Sequence, residues 1–93
     1  MVDEALLAGY HRYRHGIAGS QDELAQRAQG QSPRTLWIGC SDSRVIPEEI
    51  TDADPGELFV LRNIANIVPP AGRDDTVGAV IEYAVLHLSL IHI

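Results

Sequence analysis

Lysine is missing from this chain and cysteine occurs once, at Cys40. A single thiol rules out any disulfide within the chain, and its setting is expected to be reducing and cytoplasmic. The seven basic side chains are all arginines, spread from Arg12 to Arg73 without a stripe, and the formal charge is −6. Such a surface does not neutralise a phosphate backbone, so nucleic acid is not an expected partner. No apolar run approaches the roughly 20 residues that a membrane span needs. The opening segment, broken by Asp3 and Glu4, has no apolar core of the secretory kind. Internal repeats and low-complexity tracts are also lacking.

What remains is one small domain. Its 93 residues are 45% hydrophobic, near the globular average, so wholesale disorder is not expected. A chain of this length hides only somewhat more than half of its unfolded surface, which makes its stability marginal.

Leu6, Leu7, Tyr10 and Tyr13 recur at helical spacing, so a helix is expected over Val2 to His15, broken by Gly16 and Gly19. Ser20 with Glu23 reads as a capping box, opening a short helix to about Ala28. Thr35 to Gly39 is apolar, continuous and partly β-branched, as in a strand buried on both faces of a parallel sheet. Pro47 begins a short helix, Asp54-Pro55-Gly56 is a turn, and Leu58 to Leu61 is a second buried strand. Asp74 or Asp75 caps a long helix with Val77, Val80, Ile81, Ala84, Val85 and Leu88 along one face. Leu90 to Ile93 resembles the start of a third strand. This alternation predicts an α/β fold around a parallel sheet, with right-handed crossovers. Because the chain stops on the first residues of a strand, it reads as a truncated piece.

Cys40, Asp42 and Arg44 alternate just past the first strand, where open α/β sheets place their ligands. If that segment is extended, thiol, carboxylate and guanidinium share one face. A thiolate is a good zinc ligand, and a nearby arginine favours the thiolate. Asp42 can ligate a metal or accept a hydrogen bond from metal-bound water, and Arg44 can hold it in a bidentate pair. Spacing alone leaves open a structural cysteine beside a surface ion pair. A thiol phosphatase does not fit: its Cys-x5-Arg loop would need arginine where Ile46 stands.

Cys40-Ser41-Asp42-Ser43-Arg44-Val45-Ile46-Pro47 resembles the first signature of the β-class carbonic anhydrases. Gly56 to Asn66 with Val68-Pro69-Pro70, and then Glu82 to Leu88, resemble two further blocks of that family in order. The resemblance runs from Gly30 to Ile93. It implies a parallel-sheet, Rossmann-like β-carbonic anhydrase fold that is incomplete at its C-terminus. Residues 1–29 would form an N-terminal helical arm, and residues 30–93 the first part of the α/β core. It implies zinc-dependent interconversion of carbon dioxide and bicarbonate in a homodimer or larger homo-oligomer. Cys40 would be a zinc ligand, and Asp42 and Arg44 the dyad beside the metal. Asp42 would either fill the fourth zinc position or pair with the arginine. Gln31 would reach a neighbouring subunit's site, while Phe59, Ile64 and Tyr83 would line the carbon dioxide pocket.

The sequence departs from the family pattern in one respect. The Gly-His-x-x-Cys-Gly stretch with the other two zinc ligands would fall past Ile93. His11, His15, His87 and His92 are not placed near Cys40 by any motif. The chain on its own is therefore expected to be inactive. The alternative is a non-catalytic α/β binding or regulatory module that kept the scaffold and lost the zinc site.

Overall fold

A computed structural model describes residues 3–16 and 21–93. They fall into two compact units, Met1–Gln31 and Ser32–Ile93.

The first unit holds two helices. Helix α1 spans Glu4–His15. Asp3 caps it by accepting the Ala5 N–H at 2.7 Å, and Arg12 and Arg14 place positive charge in its last turn. Helix α2 spans Gln21–Ala28, with Arg27 paired to Glu23 one turn back. Ser20, the expected cap of α2, lies outside the described residues. Neither helix buries a residue, and Leu6, Leu7, Tyr10 and Tyr13 are all exposed.

The second unit is built on two parallel strands, β1 (Thr35–Cys40) and β2 (Leu58–Asn63), in register from Thr35 opposite Leu58 to Cys40 opposite Asn63. At their start, Arg34 donates its backbone N–H to the Glu57 carbonyl and its Nη2 to Glu57 Oε1, both at 2.9 Å. The connection carries helix α3 (Pro47–Thr51), which Pro47 opens at its first position. A one-turn 3-10 segment, Ile64–Asn66, follows β2. Helix α4 spans Asp75–His87, and Asp74 caps it by accepting the N–H groups of Thr76 and Val77.

The core is small. Leu36 and Ala84 are completely buried and Leu90 nearly so, with Ile38, Phe59, Val80, Ile81 and Leu88 packed around them. Three expectations need correction. The strands are not sealed on both faces: only Leu36 and Gly39 of β1 are buried, and β2 buries none of its residues fully. Val85 is 44% exposed, so it leaves the core face of α4. Leu90 to Ile93 is not a strand. Ser89 adopts a left-handed conformation (φ 55°), Leu90 turns back into the core, and one bond, Leu36 N–H to the His92 carbonyl, touches β1.

Within β1 the packing is tight at one point. A Cβ at Gly39 would lie 2.4 Å from Trp37 Nε1, so only glycine leaves room for the indole. With so little buried surface, each core side chain matters. Leu36→Ala is expected to cost about 2–5 kcal/mol, read as a lower urea midpoint at unchanged slope. A loss within about 0.5 kcal/mol, the range of ordinary surface changes, would show that Leu36 is not the centre of the core.

Candidate functional site

The ladder carries Cys40 to the carboxyl end of β1, and Ser41 extends the pairing by donating its N–H to the Asn63 carbonyl at 2.7 Å. The chain then turns. Val45 N–H donates to the Asp42 carbonyl at 3.0 Å, and Arg44 N–H donates to Asp42 Oδ1 at 2.9 Å. This aspartate turn brings the Arg44 side chain back to its own loop. Nε donates to Oδ1 at 3.0 Å and Nη2 to Oδ2 at 2.7 Å. The pair is therefore bidentate, as expected, but its cause is different: a turn at residues 43 and 44, not an extended segment. Of the two arrangements that the resemblance implies for Asp42, this is the one paired with the arginine.

The electrostatics follow from these contacts. The Arg44 guanidinium, then the Arg44 N–H, and then the charge of Arg62 hold the Asp42 carboxyl down at about 2. Arg44 is held above its ordinary value by the same pair. The Cys40 thiol is pulled below its usual value, first by the Asp42 N–H, 3.4 Å from Sγ, and then by the Ala65 N–H. The negative charge of Asp42 works in the opposite direction.

The Ala65 amide is delivered by the segment after β2. Ala65 (φ 60°) and Asn66 (φ 45°) are both left-handed, at a cost of about 1 kcal/mol or more each. Asn63 supports this conformation by bonding both ways to Ile67: Nδ2 donates to its carbonyl and Oδ1 accepts its N–H, each at 2.8 Å. Arg62 reaches the other loop, donating Nε to the Cys40 carbonyl at 2.8 Å and Nη2 to the Asp42 carbonyl at 2.6 Å. The sequence leads one to expect loop hydrogen bonds from Arg62 and Asn63 at the strand end, and both make them. It gives no sign of the left-handed Ala65 amide.

The remaining candidates are only partly assembled. The rings of Phe59 and Tyr83 stack with centroids 5.8 Å apart, and His87 packs on the other partner of that stack, 5.1 Å from Tyr83. Phe59 also supports the core. Ile64 is 76% exposed. Gln31 is exposed and belongs to the first unit. A cleft of about 590 Å³ between Pro69–Gly72 and the first turns of α4 is lined by none of Cys40, Asp42, Phe59, Ile64 or Tyr83.

Zinc chemistry fits Cys40, a half-exposed thiol biased toward thiolate. It does not fit the described residues as a complete site. A catalytic zinc takes three protein ligands, and no group of three or more histidine, cysteine or acidic side chains among the described residues can hold a metal. His11, His15, His87 and His92 do not complete one.

A parallel α/β pair with a thiol and a carboxylate–guanidinium dyad at its strand end is thus the frame of the site. The sequence profile of the carbonic anhydrase family matches residues 35–93. A carbonic anhydrase of Synechocystis sp. is 44% identical over 89 residues, covering 94% of this chain and 32% of that protein. The solved β-carbonic anhydrase CcaA superimposes with a TM-score of 0.86 at 43% identity, over 94% of this chain and 40% of that one. A structure from Sordaria macrospora, described as one of two tetrameric β-carbonic anhydrases, gives a TM-score of 0.77 at 44% identity, over 92% and 43% of the chains. The chain belongs to the β-carbonic anhydrase family and spans about a third of the curated relatives it matches.

The Asp42 pair makes a pH prediction. Its carboxyl lies lower folded than the ordinary 3.8, so its stabilising effect is present above about pH 4 and is lost as pH falls through about 2. Carboxyl carbon NMR should give Asp42 a midpoint near 2, moving up toward 3.8 in Arg44→Gln. An unperturbed midpoint in the parent would contradict the pairing.

Proposed function

We propose that the intact gene product catalyses the reversible hydration of carbon dioxide to bicarbonate and a proton. The observation that carries this reading is the bidentate Asp42–Arg44 pair beside the Cys40 thiol, at the end of a strand whose family is carbonic anhydrase. Zinc, held in part by the Cys40 thiolate, would supply acidity, bringing a water to a pKa of about 7.

The residues of this chain have separate tasks. An ionised carboxylate offers about four acceptor positions. Arg44 fills three of them, two on Oδ1 and one on Oδ2. The Oδ2 position left over accepts a hydrogen bond from the attacking water and orients it toward the substrate carbon. With its carboxyl near 2, Asp42 does not take up the water's proton at neutral pH and acts as an acceptor only. Arg44 is committed to Asp42 and leaves the substrate alone. The stacked Phe59 and Tyr83 provide an apolar surface suited to a small uncharged substrate, to which Ile64 would add in the assembled site. Gln31 would serve the site of a neighbouring subunit in a homo-oligomer, consistent with the exposed Leu6, Leu7, Tyr10 and Tyr13 of α1. A cytoplasmic location accords with the lone thiol.

A second reading, a non-catalytic α/β module, is favoured by the lack of a three-ligand group among the described residues. The coding frame after Ile93 separates the two: a Gly-His-x-x-Cys-Gly stretch supports the enzyme, and a stop codon the module.

Two kinetic outcomes are expected in stopped-flow measurements of carbon dioxide hydration. The intact product turns over, and Asp42→Asn lowers kcat by about 10²-fold, the scale of losing the orientation of an attacking group. Residues 1–93 alone, supplied with zinc, show no turnover above background. Robust turnover by residues 1–93 would contradict the need for further ligands, and full activity of Asp42→Asn would remove Asp42 from the mechanism.

A further inference from the structure

Arg62 stands next to last in β2, in register with Gly39, and its half-buried side chain bridges to the loop on the other strand. Its two bonds go to main-chain carbonyls two residues apart, Cys40 and Asp42, and not to the Asp42 carboxylate. The Asp42 carbonyl also accepts the Val45 N–H, so one atom joins the arginine to the turn that presents Arg44.

We infer that Arg62 is a positioning residue for the hydration site, fixing the backbone from which Cys40 and Asp42 project while Arg44 fixes only the rotation of the carboxylate. Three observations support this division. First, the Arg44 side chain is 87% exposed, and an ion pair so open to water anchors a loop weakly. Arg62 is half-buried and ties the loop to the sheet across 20 and 22 residues of sequence. Second, a planar guanidinium can direct two donors at two fixed acceptors, which the single ammonium of lysine matches poorly. Third, because Arg62 bonds to carbonyls, it stabilises the ionised Asp42 through its charge without occupying the remaining position on Oδ2. A cation at this point that reached for the carboxylate would compete with the water it is meant to hold.

The inference rests on the hydration reading for its kinetic consequence, but its structural arm is independent. The test compares Arg62→Gln and Arg62→Lys with the parent in the intact gene product, by amide hydrogen exchange and by hydration kinetics. In Arg62→Gln, exchange at Arg44 and Val45, whose N–H groups both bond Asp42, should quicken about tenfold or more, while Ile38 within β1 is unchanged. The kcat should fall about 10–100-fold, the cost typical of losing a supporting partner, with KM within about threefold. Arg62→Lys, which keeps the charge but loses the planar fork, should fall between the parent and Arg62→Gln in both measurements, and it carries the test if Arg62→Gln does not fold. Unchanged exchange at Arg44 and Val45, equal acceleration throughout β1, or a kcat unaffected by a loosened loop would each overturn the inference. If the parent itself does not hydrate carbon dioxide, the hydration reading fails and the exchange pattern alone decides whether Arg62 holds the loop.

Discussion

Everything at this site depends on the parallel pairing of β1 with β2 in one fixed register. That register sets Cys40 opposite Asn63 and Gly39 opposite Arg62. It therefore decides which polar side chains of the second strand face the loop after the first. A slip of one residue would send Arg62 and Asn63 to the opposite faces of the sheet. The Cys40 and Asp42 carbonyls would then lose their guanidinium, and the segment that carries the Ala65 amide would lose its brace. The register is held at the other end by Arg34 and Glu57, which bond through both backbone and side chain.

The loop geometry explains how a site this exposed can still be ordered. Arg44 lies mostly in water, and alone it would hold Asp42 only in a loose pair. Three weak constraints act together instead: the aspartate turn, the fork of Arg44 and the reach of Arg62. The same arrangement turns the N–H groups of Asp42 and Ala65 toward Cys40 Sγ, which biases the thiol toward its anionic form. Two left-handed non-glycine residues are the conformational cost of bringing the Ala65 amide to that point.

Much of this was legible in the sequence, because strong local signals govern those parts. The two strands, the proline-led α3 and the Asp74-capped α4 all follow from patterns of a few neighbouring residues. The Asp42–Arg44 pair follows from residue types two positions apart, although the turn that makes it was not apparent from alternation alone. What the sequence could not convey is tertiary. Val85 looks like a core residue by spacing, yet it is exposed, and Leu90 enters the core only because Ser89 turns left-handed. That Arg62 bonds a loop follows from its place at a strand end, but which carbonyls it reaches depends on strand register across 20 and 22 residues, which no local pattern contains. The expected carbon dioxide pocket is legible as a list of residues. Phe59 and Tyr83 meet in the fold, Ile64 is exposed to water, and Gln31 falls in the other unit.

For the proposed hydration to run, the thiol at the end of β1 must be a metal ligand and not merely a small side chain near a turn. Elemental analysis of the intact gene product, purified without added chelator, tests it most directly. About one zinc per chain is expected in the parent, and loss of that zinc in Cys40→Ser, with the fold retained by circular dichroism. A parent free of zinc, or a Cys40→Ser variant that keeps the metal as tightly, would contradict it.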